Sequence, residues 1–154
     1  MKELLQAFEL AYASNDSIEL TILSDEDTTE LKAFSNQLKS KEHIKFEGPV
    51  LWKETVNYYQ NADCFVLHSS HESFSIVLAE AWSCGIPVIS TNVGIAHNLP
   101  SFLGIQTEHS VASLSDAMLQ MVQTANEYDA NKLHSFAQQF DREEVLKQLT
   151  ALYD

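Results

Sequence analysis

Positive charge is scarce in this chain. Arg142 is the only arginine, and Lys and Arg together number 9 against 22 acidic residues, a formal net charge of -13 at pH 7. Nucleic-acid binders displace counterions with clustered Lys and Arg, so this balance excludes nucleic acid as a partner. No polybasic amphipathic stretch is present, which argues against docking of this chain on anionic membrane. No apolar run approaches the roughly 18 residues that a spanning helix needs. The N-terminal MKELLQAFELAYASND has no charged region followed by an apolar block, and so does not read as a signal peptide. Cysteine is scarce as well. Cys64 and Cys84 are too few for a disulfide framework and stand in apolar surroundings, which predicts reduced core thiols in a cytoplasmic protein. Only 4 glycines and 3 prolines punctuate the chain, and no repeat, linker or low-complexity tract divides it. What is present is ordinary: 154 residues, 45% of them hydrophobic, predict one domain over 1–154 with one sufficient core.

Helical and strand-like segments alternate. Residues 2–13 place Leu4, Leu5, Phe8, Ala11 and Tyr12 at helical spacing. Residues 18–23 (IELTIL) read as a strand, and Ser24 to Asp27 supply cap chemistry for a helix over 28–40 with Leu31, Phe34 and Leu38 on one face. A strand at 44–46, a helix at 52–61, a strand at 63–67, a loop from His68 to Ser73 and a helix at 74–84 follow. Gly85 ends that helix in the left-handed position that glycine favours. Strands at 86–90 and 104–106 and helices at 113–125, 127–138 and 141–152 complete the reading. The last helix is capped by Asp141, with Val145, Leu146 and Leu149 turned inward. Such alternation predicts an α/β fold, a three-layer doubly wound (Rossmann-like) parallel sheet with helices on both faces. Ligands of such sheets bind beyond the carboxyl ends of the strands, where loops run into helix N-termini.

The segment from His68 to Ser90 has its own chemical logic. Glu72 lies in a strand-to-helix loop, and Glu80 lies further along the helix that follows. The free N–H groups of Ser73 to Ile76, aided by the helix dipole, would attract an anion such as phosphate. Carboxylates flanking an anion site are poor phosphate ligands. They suit hydroxyl groups on either side of it, as in a sugar–phosphate–ribose ligand. His68-x-x-His71-Glu72 would offer a metal too few ligands, and Ser69, Ser70 and Ser73 lack the elbow motif of nucleophilic serine enzymes. Trp82 and Phe74 read as core, and Phe8, Phe34, Tyr58 and Tyr59 as ordinary amphipathic faces.

Glu72 and Glu80 form an E-x7-E pattern, and with it the sequence resembles the retaining glycosyltransferases of family 4, the "group 1" transferases of two-domain GT-B architecture. The flanking text fits: Ala62-Asp63-Cys64-Phe65-Val66-Leu67 matches the family's "ADvfvl" strand, and Ser69-Ser70-His71-Glu72 its "PSxxE" loop. Phe74-Ser75-Ile76-Val77 stands for "FGlv", and Glu80 to Val88 for "EAmacGxPVV". Leu4 to Phe8, Phe46 to Val50, Val93-Gly94 and the helix from Asp141 to Tyr153 resemble further family segments, so the likeness spans nearly the whole chain.

The resemblance implies the C-terminal, nucleotide-sugar-binding half of a glycosyltransferase, a fragment of a longer two-domain protein. Glu72 would be the catalytic-site residue facing donor-sugar hydroxyls, and Glu80 would accept from the ribose. The backbone of Ser73, Phe74, Ser75 and Ile76 would hold sugar and diphosphate, with His71 beside the diphosphate. The Gly48–Val50 turn would lie near the nucleotide base. No metal and no resident cofactor is implied; the nucleotide-diphospho-sugar is the substrate, and an acceptor-binding N-terminal domain is the missing partner. Any membrane association would fall to that missing half, and the localisation implied is cytoplasmic. The pattern also departs from the family. The Arg and Lys expected around the domain's first strand lie outside this sequence, Ser24 to Asp27 replace a glycine loop, and Gly94 to Asn98 lack a glycine and a glutamate. These losses support an alternative, a catalytically inactive interaction module derived from a transferase domain.

Overall fold

In a computed structural model, residues 1–151 are described, with the side chains of Gln148 and Leu149 left aside. Helix α1 (Lys2–Ser14) leads to β1 (Leu20–Leu23), α2 (Thr29–Ser35) and β2 (Ile44–Glu47). Then come α3 (Trp52–Gln60), β3 (Phe65–Leu67), α4 (Ile76–Ser83), β4 (Val88–Thr91) and β5 (Gly104–Thr107). Helices α5 (Val111–Thr124), α6 (Ala130–Ala137) and α7 (Arg142–Thr150) close the chain.

All strand pairs are parallel, as the alternation predicts. Successive residues of a strand face opposite sides of a sheet, and here they build two separate cores. Ile89 joins Leu5, Phe8, Leu114 and Met121 beneath α1 and α5. Its neighbour Val88 joins Leu78, Trp82, Leu103 and Leu133 beneath α4 and α6. Helices therefore cover both faces, the expected three layers. The hydrogen bonding differs from one continuous sheet. The ladders form two sets, β1–β2 and β3–β4–β5, with no ladder joining β1 to β3 among the described residues. Yet Ile22 of β1 and Val66 of β3 pack into the same core. The facing edges are thus seated on common helices while their backbone groups stay unpaired.

Helix α2 stops at Ser35, short of the predicted residue 40. A tertiary contact holds the segment beyond it. The Glu9 carboxylate on α1 accepts hydrogen bonds from the N–H groups of Lys39 and Ser40, both at 3.0 Å, and from the Ser40 hydroxyl at 2.6 Å. Burial acts to raise the Glu9 carboxyl, but the Ser40 and Lys39 donors outweigh it and hold the group below its ordinary value. A lowered native pKa contributes stability above the ordinary carboxylate range and loses it as pH falls through and below that range. Glu9→Gln should therefore lower the urea midpoint at pH 7, and the gap to wild type should narrow toward pH 3. A gap of equal size at both pH values would contradict this role.

Other bounds shift by a few residues. Helix α5 starts at Val111 rather than 113, because the Ser110 hydroxyl caps it by accepting from the Ser113 N–H at 3.2 Å. Helix α4 starts at Ile76, after Ser75 takes a left-handed backbone at φ 70. Asp129 caps α6, and Asp141 accepts from the Glu143 N–H ahead of α7 as expected. Val145 and Leu146 are exposed, not inward. The Leu149 side chain and the end of the predicted helix lie outside the described residues. No helix among the described residues is long and apolar enough to cross a membrane. Both cysteines are free, and burial pushes the Cys64 thiol up to about 12.

Candidate nucleotide-sugar site

The segment after β3 is held open by its neighbours. Thr91 at the end of β4 donates its hydroxyl to the Ser69 carbonyl at 2.6 Å, and the Ser69 hydroxyl donates to the His71 carbonyl at 3.0 Å. Further on, the Phe74 carbonyl accepts from the Ile95 N–H at 2.9 Å. These ties fix the approach to α4 without using the backbone donors that face outward. Among the described residues, the N–H groups of Ser73, Phe74, Ser75, Ile76 and Val77 donate to no protein acceptor. His71, Ser73, Phe74 and Ile76 are exposed, and Glu72 is half-buried. The row of free donors lies at the N-terminus of α4, the end where unpaired N–H groups and the helix dipole carry positive potential.

Ser75 and Gly94 are locked together in this turn. A Cβ at Gly94 would overlap the Ser75 hydroxyl and lie 2.6 Å from the Phe74 carbonyl oxygen, so only glycine lets the 94–96 turn sit against the loop. Ser75 itself carries a left-handed φ that a side chain disfavours, and its buried hydroxyl has no hydrogen-bond partner. Ser75→Gly relieves both costs, of order 1–2 kcal/mol for the backbone and about 1 for the hydroxyl, less about 0.5–1 for added unfolded-state entropy. The expected net is a stabilisation of about 1 kcal/mol, a rise of roughly 2–4 °C in melting temperature. A melting temperature at or below wild type would contradict it.

Glu80 lies in the second turn of α4, half-buried. The Tyr59 hydroxyl of α3 lies 3.1 Å from its Oε2 and 3.4 Å from the Val77 carbonyl. At the other end of α3 an open pocket of about 420 Å³ is lined by Glu47, Gly48, Pro49, Val50, Glu54, Asn57 and Tyr58. Gly48 and Val50 thus border a real concavity, and α3 is the element shared by the pocket and Glu80. Tyr58 and Tyr59 are more than the amphipathic filling their spacing suggests. Trp82 is core as expected, while Phe74 is half exposed and packs edge-on against Phe140 at 5.6 Å.

His68 is not grouped with His71 and Glu72. Its Nε2 lies 3.0 Å from Glu3 Oε2, and its ring stacks on His109 at 4.3 Å with planes only 8° apart. His109 Nδ1 lies 3.7 Å from the same carboxylate oxygen. Three metal-capable side chains from α1, the end of β3 and the loop before α5 therefore meet. Ring-nitrogen lone pairs lie in the ring plane, so two parallel stacked imidazoles cannot aim at one ion. As arranged, the cluster is a polar tie among these elements, and the hydrogen bond from His68 holds the Glu3 carboxyl below its ordinary value. Sequence spacing gives no sign of it.

Parallel strands covered by helices on both faces, with a row of unused N–H donors between β3 and α4 and a pocket at the end of β2, define a doubly wound α/β class of fold. Residues 1–139 match the family model described as glycosyl transferases group 1, and the chain belongs to that family. A D-inositol 3-phosphate glycosyltransferase of Paenarthrobacter aurescens is 35% identical over 80 residues, which cover 50% of this chain and 20% of that protein. The corresponding protein of Xylanimonas cellulosilytica is 35% identical over 65 residues, or 42% of this chain and 16% of its own length. The chain therefore spans only a small part of these relatives. Among solved structures, sucrose-phosphate synthase from Thermosynechococcus elongatus superposes with a TM-score of 0.83 at 20% identity, covering 97% of this chain and 41% of that one. Anabaena HepE in complex with UDP gives 0.82 at 19% identity, covering 98% and 45%. The fold is that of GT-B glycosyltransferase domains.

Proposed function

We propose that this chain is the donor-binding, C-terminal half of a retaining GT-B glycosyltransferase that moves a hexosyl group from a nucleotide-diphospho-sugar to an acceptor. The observation that carries the reading is the row of unused N–H donors from Ser73 to Val77, flanked by Glu72 on one side and Glu80 on the other. The diphosphate sits on that row, with exposed His71 beside it. Glu72 accepts from hydroxyls of the donor sugar, Glu80 accepts from the ribose, and the Gly48–Val50 pocket takes the base. Exposed Ile76 presents an apolar surface to the sugar. In the transfer, the bond from the anomeric carbon to the diphosphate oxygen breaks through an oxocarbenium-like state. The acceptor oxygen bonds to that carbon on the same face, and its proton passes to the departing diphosphate. Glu72 and Glu80 are therefore binding and stabilising groups, not the acid/base pair of a glycosidase.

The two unpaired edges of β1 and β3 support a domain completed by one more parallel strand of the same protein, ahead of α1. That strand is also where the Arg and Lys for the diphosphate belong, since among the described residues no Lys or Arg pairs with Glu72 or Glu80. The isolated chain is accordingly inactive, and the whole protein needs its acceptor-binding half. A panel of UDP-, GDP- and ADP-sugars tested by thermal shift on the full-length protein checks the reading, because ligand bound to the native state raises its melting temperature. One nucleotide class should stabilise it by several degrees. Flat responses to all three would favour the inactive interaction module.

A further inference from the structure

We infer that Tyr59 is the positioning residue of the Glu80 carboxylate and so governs how strongly the donor's ribose hydroxyls are held. The inference rests on the reading of Glu80 as the ribose contact. A glutamate on a helix surface has several free torsions, and among the described residues no Lys, Arg or His pairs with Glu80. Tyr59 supplies the only hydrogen bond to it among those residues, at 3.1 Å from Oε2. The phenol is itself well fixed. Its ring packs edge-on against Phe65 of β3, with centroids 5.6 Å apart, and joins the core beneath α4.

The direction of this hydrogen bond is settled by charge. A carboxylate is acceptor-only, so the hydroxyl donates, and a charge-assisted bond is favoured over the longer contact with the Val77 carbonyl. Burial first, then the negative charge of Glu80, pushes the Tyr59 phenol well above its ordinary value, so the donor keeps its proton wherever the protein is folded. The consequence for ligand binding is a division of labour between two oxygens. Oε2 is held by Tyr59, and Oε1 has no partner among the described residues and is left to accept from a diol. The preorganised carboxylate spares the ligand the entropy of ordering it. Tyr59 reaches the site from α3, the helix that also walls the proposed base pocket, so ordering of the base and grip on the ribose share one element.

The test uses full-length protein, isothermal titration calorimetry, and UDP, GDP and ADP, each paired with its 2′,3′-dideoxy counterpart. Tyr59→Phe keeps the ring and its packing and removes only the hydroxyl, so its ligand-free melting temperature should fall by no more than about 2–4 °C and the protein stays folded. It should weaken binding of the nucleotide that the wild type binds by about two- to tenfold, the scale of ordering one rotamer-rich side chain on binding. It should also shrink the preference for that nucleotide over its dideoxy form. The double variant Tyr59→Phe/Glu80→Gln should bind no worse than Glu80→Gln alone, since the two residues act as one unit. A residue with a merely structural role would leave the ribose preference unchanged. If Glu80→Gln loses the ribose preference while Tyr59→Phe keeps wild-type affinity and preference, this inference is overturned and the reading of Glu80 stands. If the wild type shows no ribose preference and Glu80→Gln changes nothing, the underlying reading fails and takes the inference with it.

Discussion

Gly104→Ala is expected to cost about 4 kcal/mol of unfolding free energy, the largest single-residue loss outside the aromatic core. Gly104 opens β5 at φ 151 and pairs in register with Val88 of β4. A Cβ there would overlap the Val88 carbonyl oxygen and lie 2.8 Å from the Val88 nitrogen, and both are backbone atoms of the neighbouring strand. No rotamer change relieves a clash between backbones, so β5 must move away from β4. Overpacking costs about 1–3 kcal/mol, and a disfavoured backbone conformation adds about 1–3 more. Against a typical total of about 5–15 kcal/mol this is a large fraction. Melting should fall by roughly 8–16 °C, measured by circular dichroism. A fall of less than about 2 °C would show that β5 sits further from β4 than described.

Trp82→Ala is the second large effect. Trp82 is fully buried, its Nε1–H donates to the Leu103 carbonyl at 3.1 Å, and Phe136 meets it edge-on at 5.4 Å. The side chain thus joins α4, the loop before β5 and α6 in one contact. Truncation loses about 3–5 kcal/mol of packing and one of the two hydrogen bonds the Leu103 carbonyl accepts, for about 1 kcal/mol more, while the bond from the Val88 N–H at 3.1 Å remains. Trp82→Phe bears on the two contributions, since it keeps one aromatic ring and most of the volume while losing the donor and the packing of the second ring. We expect Trp82→Ala to be largely unfolded at 37 °C and Trp82→Phe to be folded with a loss of about 1–2 kcal/mol. Equal losses for both would place the stabilisation in the hydrogen bond rather than in the packing.

Much of this architecture is legible in the sequence because it is written in local chemistry. The run from Asp63 to Leu67, the glycine at 85 and the apolar strand after Pro87 each carry a residue type suited to one backbone role. Residues 1–139, the span of the family match, include the stretch from Phe46 to Val88 where the motifs are densest. The illegible parts depend on contacts between distant residues. Leu38 has helical spacing, yet after Ser35 the N–H groups of Gln37 and Leu38 turn back on Phe34 and Ser35, and Glu9 takes those of Lys39 and Ser40. Val145 and Leu146 have inward spacing, yet among the described residues both stay exposed. Glu3, His68 and His109 come together from widely separated positions, and no motif links Tyr59 to Glu80. The split between β1 and β3 is equally invisible, because each strand has the apolar pattern of an interior one.

The site has the same mixture. The spacing of Glu72 and Glu80 and the loop between them point to an anion flanked by hydroxyls. The structure contributes what spacing cannot: the unused N–H row, the Ser75–Gly94 lock and the pocket bordered by Gly48 and Val50. The low positive charge that excludes nucleic acid also sharpens the reading of this site. Under the proposed reading, a diphosphate would rest on backbone donors and a helix dipole at the start of α4.

Glu80 is the proposed contact for the donor's ribose. Isothermal titration calorimetry of full-length protein with the nucleotide diphosphate that stabilises it tests the claim most directly, with wild type and Glu80→Ala compared at one pH and ionic strength. We expect wild type to bind at one site and Glu80→Ala to bind about 10- to 100-fold more weakly, the loss of charge-assisted hydrogen bonds to the ribose. Undiminished binding by Glu80→Ala, or no binding by wild type, would contradict the account.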